Sequence, residues 1–326
     1  MTNSTPETLL EVKNLKTYFL TKQGTVRAVD DVSFSINKGE IVGLVGESGC
    51  GKSMTSMSIL RLVPQPAGKI VGGEIRFKGE NLLDKSEEEM RQIRGDRISM
   101  IVQDAMVSLN PLLKVGYQLA ETLKHHGKVL GAVKDKCIEL LTKVKVPSPE
   151  TRPEAYPFQF SGGMSQRALI ATGIACDPDL IIADEPTTAL DVTIQAQILS
   201  LLKEIQEKVG ASVLLITHDL AVVAQICTRV LVMYAGRIVE EADIDTFFNN
   251  PSHPYAKGLI QSVPVLYKEV DRLFTIEGQP PSLFNPPLGC RFAPRCPDAM
   301  DKCLETYPPK TTLEDGHYVS CWLYEK

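Results

Sequence analysis

Three groups of residues carry types and spacings that could do chemistry. The first is Gly46-Glu47-Ser48-Gly49-Cys50-Gly51-Lys52-Ser53, which has the spacing G-x-x-x-x-G-K-S/T of a phosphate-binding loop. Its glycines let the backbone curl so that N–H groups and the positive end of the following helix converge on phosphate oxygens. Lys52 is expected to reach the β and γ phosphates and Ser53 to hold Mg²⁺, with Met54 beside them in the nucleotide site. A Gly-rich surface turn is the structural alternative. The second group closes the apolar run Leu180-Ile181-Ile182-Ala183 with Asp184-Glu185. At the edge of an open sheet, Asp184 would hold Mg²⁺ directly or through water, and Glu185 would polarise the water that attacks a phosphoanhydride. An acidic strand end that caps the next helix is the alternative. The third group is Cys290, Cys296, Cys303 and Cys321, crowded into the last 40 residues while Cys50, Cys137, Cys176 and Cys227 lie scattered.

Such residues need a frame to hold them. Leu9 to Ile36 alternates apolar and polar residues around Lys22-Gln23-Gly24, which predicts antiparallel strands. Glu40 to Gly46 predicts a short buried strand, and Ser53 to Leu62 a helix, so the phosphate-loop pattern falls between strand and helix as it must. Val115–Lys124 and Val133–Val144 have helical periodicity and read as a helical insert. Leu180 to Ala183, Ser212 to Thr217 and Val230 to Tyr234 read as buried parallel strands, with an amphipathic helix over Val192 to Val209. The class is therefore α/β, a sheet covered on both faces. Beyond Asn250, repeated prolines predict irregular backbone. We place a boundary near residue 245, with a nucleotide-binding domain over 1–245, a helical subdomain over about 104–177, and a small irregular cysteine-containing domain over 246–326.

Composition narrows the classes further. With 35 basic and 40 acidic residues and a formal net charge of -5, nucleic acid is not expected as a partner. No window reaches the roughly 18 to 20 uninterrupted apolar residues of a membrane-spanning helix, so a membrane would be met through another chain. The N-terminal residues show no secretory pattern, and a reducing compartment is the default expectation. There, eight cysteines read as thiols, metal ligands or catalytic groups rather than disulfides.

Phe160-Ser161-Gly162-Gly163-Met164-Ser165-Gln166-Arg167 resembles the signature motif of ATP-binding-cassette (ABC) ATPases. Gln103, after the run Ile98 to Val102, resembles the Q-loop glutamine; Ala189-Leu190-Asp191 resembles the D-loop; His218 resembles the switch histidine. The resemblance implies a P-loop NTPase fold with a RecA-like core, an antiparallel β subdomain and a helical subdomain. It assigns Glu185, His218 and Gln103 to catalysis, Gln103 also to Mg²⁺, and Ser161, Gly162, Gly163, Met164 and Asp191 to nucleotide held by a partner cassette. His218 alone also reads as a satisfied core histidine or a helix cap. Phe19, or its neighbour Tyr18, stands about where the family stacks an aromatic on adenine, and a core aromatic on a strand face is the other reading.

Asp104 to Pro111, Ala183 to Gln197, His253-Pro254-Tyr255 and the cysteine-containing tail are similar to the dipeptide, oligopeptide and nickel branch of bacterial importer ATPases. The chain departs from that branch at Val102, Ala105 and Ser165, none of which is a phosphate-contacting group. The resemblance implies an ATPase that energises import of di- or oligopeptides, with nickel or another small solute as the alternative cargo. Implied partners are a second related ABC ATPase subunit, as a heterodimer, two transmembrane permease subunits and, indirectly, an extracytoplasmic solute-binding protein, which places the chain at the cytoplasmic face of the membrane. A soluble cassette protein without a transporter is a competing class, but such proteins usually carry two cassettes or long coiled arms, and neither occurs here. The intervals Cys290-x₅-Cys296-x₆-Cys303-x₁₇-Cys321 are longer than the C-x₂₋₄-C knuckles of structural zinc sites. Four thiolates on longer loops suit iron–sulfur chemistry, and the resemblance implies a [4Fe-4S] cluster there; zinc or unligated thiols stay open.

Overall fold

The computed structural model describes residues 7–128, 132–188, 190–263, 274–314 and 316–325. Its contacts divide into two compact units, one formed mainly by Asp84–Leu215 and the other by Thr8–Ile36, Ile41–Leu83 and Ile216–Lys326.

The second of these contains an antiparallel sheet in the order Gly24–Asn37, Thr8–Thr21, Gly68–Phe77, Glu80–Asn81. Thr8–Thr21 and Gly24–Asn37 are the strands that the alternation predicts. Their inward residues Leu10, Leu15, Val29, Val32 and Ile36 are fully buried. A further sheet runs in the order Thr311–Glu314, His317–Val319, Arg237–Asp243, Arg229–Tyr234, Ile41–Val45. Ile41–Val45 pairs in parallel with Arg229–Tyr234, Val42 opposite Arg229 and Val45 opposite Val232. All five of its residues are buried, as a β-rich strand covered on both faces requires.

The helix after the phosphate loop spans Lys52–Ile59, shorter than its apolar residues predict, because Arg61 turns into the left-handed region at φ 54°. Its buried face is small and polar: Thr55, Ser56 and Ser58 bond back to the carbonyls of Gly51, Ser53 and Met54. Ser58 also shares a 2.7 Å hydrogen bond with Thr17, fixing this helix to the strand Thr8–Thr21.

The tail departs from the expected irregularity. Pro254 opens a true helix, Pro254–Gln261, at the one place where proline lacks no needed donor, with His253 as its N-cap. The hairpin Thr311–Glu314 and His317–Val319 then joins the sheet, Glu240 opposite Val319.

In the other unit, Ile98–Ile101 pairs in parallel with Leu180–Asp184. Helices Val115–His125 and Val133–Lys143 lie where the periodicity predicts them and pack on helix Gly162–Gly173. Leu119, Leu123, Leu141, Val144 and Ile170 are fully buried there. Arg167, 8% exposed, braces the insert by donating to the Val144 carbonyl at 2.8 Å and to Gln197 at 2.9 Å. Among the described residues no helix is long and apolar enough to cross a membrane.

Candidate active site

The phosphate-loop residues lie where strand Ile41–Val45 hands over to helix Lys52–Ile59. Glycine is dictated sterically at both ends of the loop. At Gly46 (φ 156°) a Cβ would fall 2.1 Å from the Met233 carbonyl oxygen, and at Gly51 (φ 111°) 2.3 Å from that of Ala28. Ser48 and Gly49 form an exposed tip. No side chain caps the helix and no acidic residue sits in its first turn, so its N-terminus keeps its positive character. Lys52 is 5% exposed, and its ammonium donates to the loop's own carbonyls, Gly46 at 2.8 Å and Glu47 at 3.1 Å. Burial pushes the neighbouring Cys50 thiol up, against the pull of Lys52, so it is a packed neutral group.

In the same unit, Tyr18 and Phe19 point to opposite faces of their strand. The Tyr18 hydroxyl donates to Asp30 at 2.5 Å, and burial followed by that bond pushes its pKa up to about 12. The Phe19 ring lies against Gly68. His218 is exposed, just past strand Ser212–Thr217, while Asp219 caps the following helix through the N–H of Ala221 at 2.8 Å. The core-histidine and cap readings therefore do not describe His218.

The acidic pair belongs to the other unit. Asp184 is buried at the end of its strand. Glu185 follows with φ 47°, a left-handed conformation that is costly for a residue with a Cβ. Gln103 donates to Oε2 of that carboxylate at 2.8 Å, and the Thr188 hydroxyl donates to the same oxygen at 2.9 Å. The structure thus joins two residues that are 82 apart in sequence.

The Ser161–Met164 motif is the start of a helix. Ser161 caps Gly162–Gly173 by accepting from the Met164 N–H at 3.3 Å, and no acid occupies the first turn. Gly162 has room for a side chain, its nearest neighbour 3.7 Å away, whereas a Cβ on Gly163 would meet Ile194 at 2.8 Å. Asp191 caps helix Val192–Val209 through the Ile194 N–H at 2.9 Å. Ala189, in the same motif, lies outside the described residues.

The four tail cysteines line a single small cavity with His253, Phe292 and Trp322. Cys290, Cys303 and Cys321 are buried and Cys296 is half-buried. Burial first, then the neighbouring thiols, push Cys290 up, and burial pushes Cys296 and Cys321 up to about 11. The donor chemistry fits a thiolate-bound metal group. The geometry stops at a shared cavity: among the described residues no set of three or more His, Cys, Asp or Glu side chains is arranged to hold a metal ion.

Sequence reasoning missed one set of contacts. Arg295 makes a two-pronged ion pair with Glu47 of the phosphate loop, at 2.8 and 3.0 Å, and the Glu47 N–H donates to the Tyr255 hydroxyl at 2.8 Å. Both partners stand in motifs read for other reasons, and a separation of 248 residues leaves no periodic signal.

Residues 29–188 match the ABC transporter family model, and residues 239–303 match that of the oligopeptide/dipeptide transporter C-terminal region. The chain is 53% identical to the dipeptide transport ATP-binding protein DppD of Bacillus subtilis, covering 98% of this chain and 96% of the relative. It is 45% identical to the DppD of Escherichia coli, with 96% of each chain covered. Among solved structures, a dimeric ATP-binding cassette in a post-hydrolysis state with ADP and Pi aligns with a TM-score of 0.65 at 28% identity, over 72% of this chain and 99% of that one.

Proposed function

The chain belongs to the ABC transporter ATP-binding family, in the branch defined by the oligopeptide/dipeptide transporter C-terminal region, and from that premise we propose that it hydrolyses ATP to drive uptake of di- and oligopeptides through a membrane transporter. Peptide is the cargo because relatives covering nearly its whole length are dipeptide and oligopeptide transport proteins.

In this reading the loop Gly46–Ser53, with Met54 behind it, receives the phosphates, Lys52 exchanges its carbonyl partners for β and γ oxygens, and an aromatic at Phe19 stacks on the base. Ser53, Gln103 and Asp184 would be the residues to hold Mg²⁺, which would supply positive charge to the phosphates. Water attacks the γ phosphorus, its proton passes to Glu185, and the bond to ADP breaks. Gln103 and Thr188 hold the Glu185 carboxylate in place through hydrogen bonds. His218 contacts the γ-phosphate. Ser161–Met164 and Asp191 act on nucleotide bound by a second, related cassette, and two permease subunits complete the machine at the cytoplasmic face of the membrane. The domains over 1–245 and 246–326 divide the work between nucleotide and tail, and Cys290, Cys296, Cys303 and Cys321 would hold a [4Fe-4S] cluster that supplies cross-links to a proline-rich segment.

The observation that carries the catalytic reading is the Gln103–Glu185 bond, which ties the candidate base to the Q-loop position. Glu185→Gln tests it. ATP binding should persist, since the isosteric amide adds no charge, while turnover falls by about 100-fold or more. Hydrolysis near the parental rate would remove Glu185 from the role of base.

A further inference from the structure

A loop that must receive a polyanion carries a carboxylate of its own, Glu47. Left uncompensated, that charge would oppose the triphosphate it adjoins. The compensation comes from the far end of the chain. The Arg295 side chain is 5% exposed and Glu47 27%. Every N–H of the Arg295 guanidinium has an acceptor: two reach the Glu47 carboxylate, one the Tyr234 hydroxyl at 3.2 Å, one the Ile276 carbonyl at 3.2 Å and one the Glu277 carbonyl at 2.9 Å. A planar fork so occupied has one orientation only, and it fixes the carboxylate with it.

The support behind it is rigid as well. Tyr234, Tyr255 and Phe292 pack as a trio with ring centroids 4.6 to 5.4 Å apart, and all three are 2% exposed or less. Tyr255 reaches from this trio to take the Glu47 N–H. Both the backbone and the side chain of Glu47 are thus held by residues C-terminal to position 250. The Glu47 carbonyl is in turn one of the two that receive the Lys52 ammonium.

We propose that Arg295 is a positioning residue for ATP binding: it neutralises Glu47 and, with Tyr255, holds the phosphate loop in its receptive shape. The proposal rests on the phosphate-loop reading of Gly46–Ser53. Its consequence is that the tail sets nucleotide affinity without touching nucleotide.

The test is equilibrium binding of ATP to the full chain, with thermal melting recorded for every variant. Arg295→Met should weaken binding by about tenfold, because it leaves a bare carboxylate in the anion site. Adding Glu47→Gln to that variant should restore most of the affinity, since the repelling charge goes with it. A purely structural role for Arg295 gives no such rescue, so additive losses, or parental affinity in Arg295→Met, would overturn the proposal. Should Arg295→Met fail to fold, Arg295→Lys decides: a point charge neutralises but cannot hold both oxygens, and affinity should drop by about threefold. Parental affinity there would overturn it too. Lys52→Ala, measured alongside, separates the two layers. If it binds ATP as the parent does, the phosphate-loop reading itself has failed.

Discussion

His253 shows how one buried side chain ties stability to pH. Its Nδ1 accepts the Tyr255 N–H at 3.0 Å, so the neutral ring carries its proton on Nε2. The residue is 1% exposed, and burial, reinforced by the Lys257 ammonium, pushes its pKa down from 6.5 to about 3. An unfolded chain therefore binds a proton at this residue from about pH 6.5 downward while the folded chain does not. By linkage the unfolded state holds more protons, so stability is complete above pH 6.5 and is lost as pH falls toward 3. Between pH 6.5 and 5 the loss from this one group should be on the order of 1 to 2 kcal/mol. His253→Asn keeps an N-cap acceptor and removes the titration, so urea midpoints of the variant should fall less over that interval. Equal slopes for parent and variant would show that His253 is not the group that titrates. The same residue caps the helix that carries Tyr255, so acid should loosen the support of Glu47 first.

At the scale of elements, legibility followed length and pattern. The helix Val192–Val209 was readable from its apolar period, and the strands at Leu180, Ser212 and Arg229 from their uninterrupted apolar runs. Helix Glu87–Ile93, with its Ser86 capping box, and strand Gly68–Phe77 were not read, the strand because its buried and exposed residues alternate weakly around three glycines. The tail hairpin was invisible for a simpler reason: strands of four and three residues hold no period, and their register comes from Arg237–Asp243. The motifs proposed for ATP were legible through their spacing, whereas the contacts of Arg295 and Tyr255 with Glu47 exist only in three dimensions. The tail also bears on the cysteines. Burial pushes the Cys290, Cys296 and Cys321 thiols up, so loading with iron must displace their protons and should be favoured by alkaline pH. Protein purified without oxygen should be brown and hold about four irons per chain. Cys296→Ser, at the half-buried position, should lose the colour while ATP binding persists. Colourless anaerobic protein with stoichiometric zinc would replace iron–sulfur by zinc at these cysteines.

For the whole molecule, two helix starts bear on the proposed assembly. Helix Lys52–Ile59 follows the phosphate loop, and helix Gly162–Gly173 begins at the exposed Ser161 and Gly162; neither has an acid in its first turn. If the second serves nucleotide on a partner, each site needs one loop from each chain, and defects in the two loops must complement. Gly162→Asp puts a carboxylate where a γ-phosphate is to sit, at a position with room to accept it, so the chain should fold and keep ATP binding at Lys52. Lys52→Ala leaves the signature helix intact. Assayed without the related subunit, the chain can pair only with a copy of itself, and each variant alone then has two damaged sites and should be inactive. In a mixed pair, the sound phosphate loop of one chain meets the sound signature helix of the other, which rebuilds one complete site. Equal mixing gives half the pairs that composition, with one of two sites rebuilt, so ATPase activity should return to about a quarter of the parental value. It should also rise with the square of chain concentration while pairing is weak. With the parental chain active under the same conditions, a mixture as inactive as its components would place both loops at nucleotide in the same chain and end the trans assignment of Ser161–Met164.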